Sequence, residues 1–178
     1  MQQKILTYGL LAGVIVAVPM FVLFLALNGP PPSPWGMVIG YLTMLISLST
    51  VFVAIKRRRD DDLGGVIGFW QGFGMGLGIT FVASICYMLA WEGVLALSHM
   101  DFGNAYAAAL IDAEKAKGVT GDALAKFIAE MEQFKRDYAN PMFRLPMTFV
   151  EIFPVGVLVS LISAGLLCRR GFLVPRRT

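Results

Sequence analysis

The chain has 178 residues, of which 57% are apolar and only 15% charged, with a mean hydropathy of +0.69 and a net charge of +3. Ordinary soluble domains carry roughly 25% charge, so most of this surface is built to meet lipid. That composition excludes intrinsic disorder, because so much apolar surface cannot stay solvated, and argues against a soluble enzyme.

A hydrocarbon layer about 30 Å thick needs about 20 helical residues to cross it. Four segments reach that length: residues 5–27, 35–55, 73–97 and 145–168. They are continuously apolar rather than alternating, so helices and not barrel strands are expected. The first is too long for the apolar core of a signal peptide, about 7–15 residues, and reads as a retained span. Between spans one and two lies Asn28-Gly29-Pro30-Pro31-Pro32-Ser33-Pro34. Its prolines cannot continue a helix, so the two spans should form an antiparallel hairpin.

Span two carries a hydroxyl stripe, Thr43, Ser47 and Thr50. Such hydroxyls commonly bond their own helix backbone; the alternative is that they line a path across the membrane. Lys56-Arg57-Arg58-Arg59 follows, then Asp60-Asp61-Asp62. Basic residues beside a span set its orientation, and the aspartates weaken a nucleic-acid reading.

The apolar run from 64 to 97 is too long for one straight span. Residues 64–72, rich in glycine and holding Trp70, are expected to form an interfacial elbow. Gly72, Gly74, Gly76 and Gly78 give two overlapping GxxxG pairs. These permit close helix approach, within one chain's bundle or, alternatively, at a dimer seam.

Residues 101–139 change character, with charges of both signs at helical spacing. Residues 104–117 read as one helix halted by Gly118. A second, capped by Thr120 or Asp122, runs to Tyr138, with Leu124, Phe127, Ile128, Met131, Phe134 and Tyr138 on one broad apolar face. Together they predict a helical hairpin outside the bilayer core. Arg169-Arg170 and Arg176-Arg177 follow the last span. With four spans, both basic clusters fall on one side. The positive-inside rule makes that side, and both termini, cytoplasmic, and the hairpin extracytoplasmic.

Two acidic residues interrupt the spans, Glu92 and Glu151. A carboxylate in hydrocarbon costs about 3 kcal/mol or more, so each should be paired or face a cavity. Antiparallel spans could bring the two to one level. Arg144, Thr148 and Glu151 share a helix face by their spacing, and Pro154 frees the carbonyl of Val150 and kinks the helix. The expected grouping is a polar pocket of Glu92, Glu151, Arg144 and Thr148, with His99 at its mouth. It would serve a ligand, proton or ion, or simply pin helices together. A lone histidine is a poor metal site, and Cys86 and Cys168 have no metal-ligand spacing. No metal, cofactor or catalytic residue is expected, since no catalytic or phosphate-binding motif occurs.

Asn140-Pro141-Met142-Phe143-Arg144, followed by Met147-Thr148-Phe149-Val150-Glu151-Ile152-Phe153-Pro154-Val155-Gly156, resembles the bacterial membrane family catalogued as domain of unknown function 4199. Leu161-Ile162-Ser163-Ala164, Leu6-Thr7-Tyr8-Gly9-Leu10 and Asp62-Leu63-Gly64-Gly65 extend the likeness over almost the whole chain. One departure is Trp70-Gln71, where the family often has an elbow lysine. The resemblance implies a four-helix protein of the bacterial inner membrane and places Arg144, Thr148, Glu151 and Pro154 in the family signature. It supplies no activity.

The sequence therefore predicts an all-α polytopic membrane protein. Its partners would be the lipid bilayer and a homo-oligomer or membrane complex, not nucleic acid. A structural or accessory role is the first functional expectation. A small transporter or proton-coupled channel using Glu92 and Glu151 is the second.

Overall fold

In lipid a backbone can satisfy its own polar groups only in a helix or a closed barrel, and the long apolar runs here fold as helices. The computed structural model describes residues 1–27, 35–98, 101–169 and 171–173. The proline turn 28–34, His99, Arg170 and Arg176-Arg177 lie outside the described residues. Among those described there are six α-helices and no strand: α1 (Gln2–Leu27), α2 (Trp35–Arg57), α3 (Phe69–Ser98), α4 (Phe102–Ala116), α5 (Gly121–Ala139) and α6 (Pro141–Leu167). The helices α1, α2, α3 and α6 are long and apolar enough to cross a membrane.

Several boundaries differ from those expected. Helix α2 runs through Lys56 and Arg57 into a π-helical turn, Arg58–Asp62. The i,i+4 ion pairs Lys56–Asp60 and Arg58–Asp62, both 2.6 Å, carry helical structure past the end of the apolar run. It stops at Gly64 and Gly65, whose φ angles of +65° and +92° favour glycine. The Gly65 N–H closes the turn onto the Arg59 carbonyl at 2.8 Å. The elbow is therefore shorter than residues 64–72, because Phe69–Gly72 already form the first turn of α3. Phe69 stacks on Phe73 one turn later, and Trp70 projects outward, 79% exposed. Helix α6 starts at Pro141, four residues before the expected span. Proline suits the first helical position, and the Asn140 side chain accepts from the Met142 N–H at 3.0 Å. Helix α4 starts at Phe102, two residues early, because Asp101 caps the Asn104 N–H at 3.0 Å. Thr120 occupies the cap position of α5 without a side-chain cap bond.

Helix α3 packs against α1 and α6, and α2 packs against the same two. Helices α2 and α3 also touch, so they form the short diagonal of a four-helix bundle with α1 and α6 at opposite corners. Small residues set the spacing. A Cβ on Gly76 would fall 2.7 Å from Ser160 Oγ, and one on Gly156 would collide with Thr80. Gly72 faces Ala164 and Gly78 faces Ile5, whereas Gly74 faces no described residue within 4 Å. Three of the four glycines thus face other helices of the same chain. The core between the helices is made of Val16, Met44, Leu48, Val51, Ile55, Met75, Ile79 and Ile152.

Buried hydroxyls find backbone or each other. Ser47 donates across to the Ala12 carbonyl of α1 at 2.6 Å, while Thr50 donates to Ser47 in its own helix at 2.7 Å. Thr80 and Ser160 meet between α3 and α6 at 3.3 Å.

A network of ion pairs closes one end of the bundle. Lys4 of α1 reaches Asp62 at 2.8 Å. Arg59, only 2% exposed, bonds Asp60 at 2.6 Å and donates to the carbonyls of Phe172 and Leu173 at 2.7 and 2.8 Å. One member of the basic cluster is thus a buried clamp on the segment after α6. At the other end α4 and α5 pack on each other. Phe102 meets Tyr138 and Tyr106 meets Phe134, with centroids 5.5 and 5.6 Å apart, which makes the pair antiparallel.

Candidate functional site

Arg144 stands in the first turn of α6, where the helix enters the bundle from Asn140. Its Nε and one terminal nitrogen donate to the two carboxylate oxygens of Glu92 on α3, at 2.7 and 2.5 Å. The other terminal nitrogen donates to the Tyr138 carbonyl on α5 at 3.1 Å. One guanidinium thus ties together the ends of three helices. Two parallel N–H···O bonds match the planar fork of arginine to a carboxylate.

An aromatic cluster adjoins this clamp through Tyr138. The guanidinium carbon lies 5.7 Å from the Tyr138 ring centroid, within cation–π range. Trp91 donates its indole N–H to the Tyr138 hydroxyl at 2.7 Å. The Trp91 ring meets Phe24 and Phe102 edge-on, at 5.0 and 4.9 Å. Burial pushes the Tyr138 phenol up to about 12, against the lowering effects of the Trp91 bond and the Arg144 charge. The phenol is neutral at physiological pH, with its oxygen free to accept from Trp91.

Glu151 sits elsewhere. It is seven residues past Arg144, about 10 Å further along the helix. Its Oε2 accepts from the Tyr87 hydroxyl of α3 at 3.2 Å, on the exposed surface of the bundle. The expected pocket is therefore divided. Arg144 joins Glu92 rather than Glu151, and the two glutamates stand at different depths instead of one level. The reason lies in register. Helices α3 and α6 are antiparallel, so Glu92, near the end of α3, meets the start of α6, and Tyr87, deeper in α3, meets Glu151. Thr148 lies between them but turns inward, donating to the Arg144 carbonyl at 3.0 Å. His99 is outside the described residues.

Sequence reasoning did not assign Tyr87, Trp91 or Tyr138 to the site, although the spacing puts Tyr138 on the apolar face of α5. The available signal was Tyr87 and Trp91 at i,i+4 on α3, with Trp91 beside Glu92.

A groove of about 560 Å³ opens where the α4–α5 pair meets α3 and α6, with Asp101, Glu132, Lys135, Arg136 and Arg144 among its walls. Among the described residues no group of three His, Cys, Asp or Glu side chains could hold a metal ion.

These features define an all-helical polytopic membrane protein, with one polar clamp at the end of the bundle and a second polar contact on its flank. Its residues 7–169 match the family described as "Protein of unknown function (DUF4199)", and the chain belongs to that family. No curated protein and no solved structure matches it significantly.

Proposed function

We propose that this is an accessory protein of the bacterial inner membrane that holds a transmembrane segment of a partner against its α3–α6 flank and catalyses no reaction of its own. The supporting observation is Glu151. Its side chain is exposed on the bundle surface, where its Oε2 accepts a hydrogen bond from the Tyr87 hydroxyl at 3.2 Å. An ionisable group at such a depth is costly unless something outside completes it. Val150, Leu158 and Ile162 are also exposed on α6, so a helix lying along this flank would bury apolar surface around one polar contact. The group that best complements a carboxyl with one donor already in place is a second donor, so the partner span would present arginine, lysine or a hydroxyl. In this reading the pole holding Lys4 and Arg57 faces the cytoplasm and the α4–α5 pair lies outside, as the basic residues favour.

Glu92 argues in the same direction. Its two oxygens are taken by Arg144, so it is not a free carrier for protons or ions.

Extraction of native membranes into polymer-bounded lipid discs tests the reading. The wild-type chain should emerge in a complex heavier than itself, containing a second membrane protein, and Glu151→Leu should release the chain alone. Proton flux in proteoliposomes of the pure chain, abolished by Glu151→Gln, would overturn it in favour of transport.

A further inference from the structure

The groove at the base of the α4–α5 pair has a composition that the bundle does not need. Leu95 in its wall belongs to the last turns of α3 and Arg144 to the first turn of α6, so the groove lies where the spans end and lipid headgroups begin. Leu97, Met142 and Phe143 beside it are exposed and apolar, a surface suited to acyl chains. Its volume falls within the roughly 300–1,000 Å³ range of small-molecule sites.

Its charges are of both signs and differ in how firmly they are held. Arg144 is engaged by Glu92 and Tyr138. Asp101 accepts from Asn104. Lys135 and Glu132 form an i,i+3 pair at 2.5 Å. Such a pair at a solvent-reached wall contributes little and exchanges readily for other partners. Arg136 donates to the amide oxygen of Gln133 at 2.7 Å, a neutral partner, and has no carboxylate within ion-pair distance among the described residues. The groove thus offers two adjacent cations, Arg136 and Lys135, beside a carboxylate, Glu132, that can take a cation of its own.

We infer that this groove binds the phosphoethanolamine headgroup of a phospholipid. The phosphate oxygens would accept from Arg136 and Lys135, whose geometry suits a phosphodiester. The primary ammonium would donate to Glu132 once Lys135 turns to the phosphate. A quaternary ammonium has no N–H to donate, so choline lipids fit less well. The inference rests on the membrane-spanning orientation alone and is independent of the partner reading for Glu151.

Native mass spectrometry of the full chain in detergent, titrated with short-chain phosphatidylethanolamine, phosphatidylglycerol and phosphatidylcholine, tests it. Phosphatidylethanolamine should bind most tightly. Arg136→Ala should weaken it about tenfold, and Arg136→Lys should restore much of the loss. Glu132→Ala should weaken phosphatidylethanolamine but not phosphatidylglycerol. Soluble O-phosphoethanolamine and inorganic phosphate form the second arm and should bind far more weakly than the lipid. Equal binding of the three lipids, indifference to Arg136→Ala, or soluble phosphate binding as tight as the lipid would each overturn the assignment. Arg136 is exposed, so folding of its variants is not in question, and loss of Glu151 should leave the lipid binding unchanged.

Discussion

Arg144 on α6 holds Glu92 on α3 through two parallel hydrogen bonds of 2.7 and 2.5 Å, and its remaining nitrogen holds the end of α5. The side chains are 14% and 28% exposed, so the pair is only partly withdrawn from solvent, and its worth lies in geometry more than in a dry interior. Removing either partner leaves the other charge without its fork. Glu92→Gln or Arg144→Gln should each destabilise the bundle by roughly 1.5–3 kcal/mol. The double variant should cost less than the sum of the two, because the orphaned charge has gone. Thermal unfolding in lipid discs measures all three, and strict additivity would show that the pair is not coupled.

The Tyr138 phenol offers a pH readout of the same corner. Burial raises its folded-state value to about 12 from an ordinary value of 10.0. Its contribution to stability is therefore complete below the unfolded value near 10 and is lost as pH rises through the folded value near 12. The difference in phenolate absorbance between wild type and Tyr138→Phe should titrate near 12. A midpoint at the ordinary value would show that the ring is not enclosed.

Glycine positions separate by what a side chain would meet. Gly156→Val drives a methyl group into Thr80 and should cost roughly 1–3 kcal/mol by overpacking. Gly74→Ala meets nothing within 4 Å among the described residues and should be neutral or slightly stabilising, since alanine favours helix. Comparable destabilisation by the two would contradict the α3–α6 register.

At the charged pole, Arg59→Met removes the donors to the Phe172 and Leu173 carbonyls and one partner of Asp60. Chymotrypsin should then cut at Phe172 several times faster, with the spans intact. An unchanged rate would show that the clamp does not hold this segment.

The four spans were legible because uninterrupted apolar runs leave few alternatives in lipid. Their ends were less so. Helices α3 and α6 start earlier than the apolar runs suggest: Phe69–Gly72 and Pro141–Arg144 read as glycine-rich or proline-bearing breaks, yet Pro141 after the Asn140 cap begins a helix well. The polar pairing was legible in its members and not in its matching. Arg144 and Glu151 share a face of one helix by spacing, but Glu92 lies closer across the bundle. Only the register of α3 against α6, set by Gly76 on Ser160 and Gly156 on Thr80, decides between them. Tyr87 shares a helix face with Trp91 by its i,i+4 spacing, but that spacing names no partner across the bundle.

A photo-crosslinking amino acid placed at Val150, exposed beside Glu151 on α6, tests the central reading most directly in growing cells. The account predicts a discrete protein adduct containing another protein's transmembrane segment, lost when Glu151→Leu is added. Labelling of lipid alone, the same with and without Glu151, would contradict it.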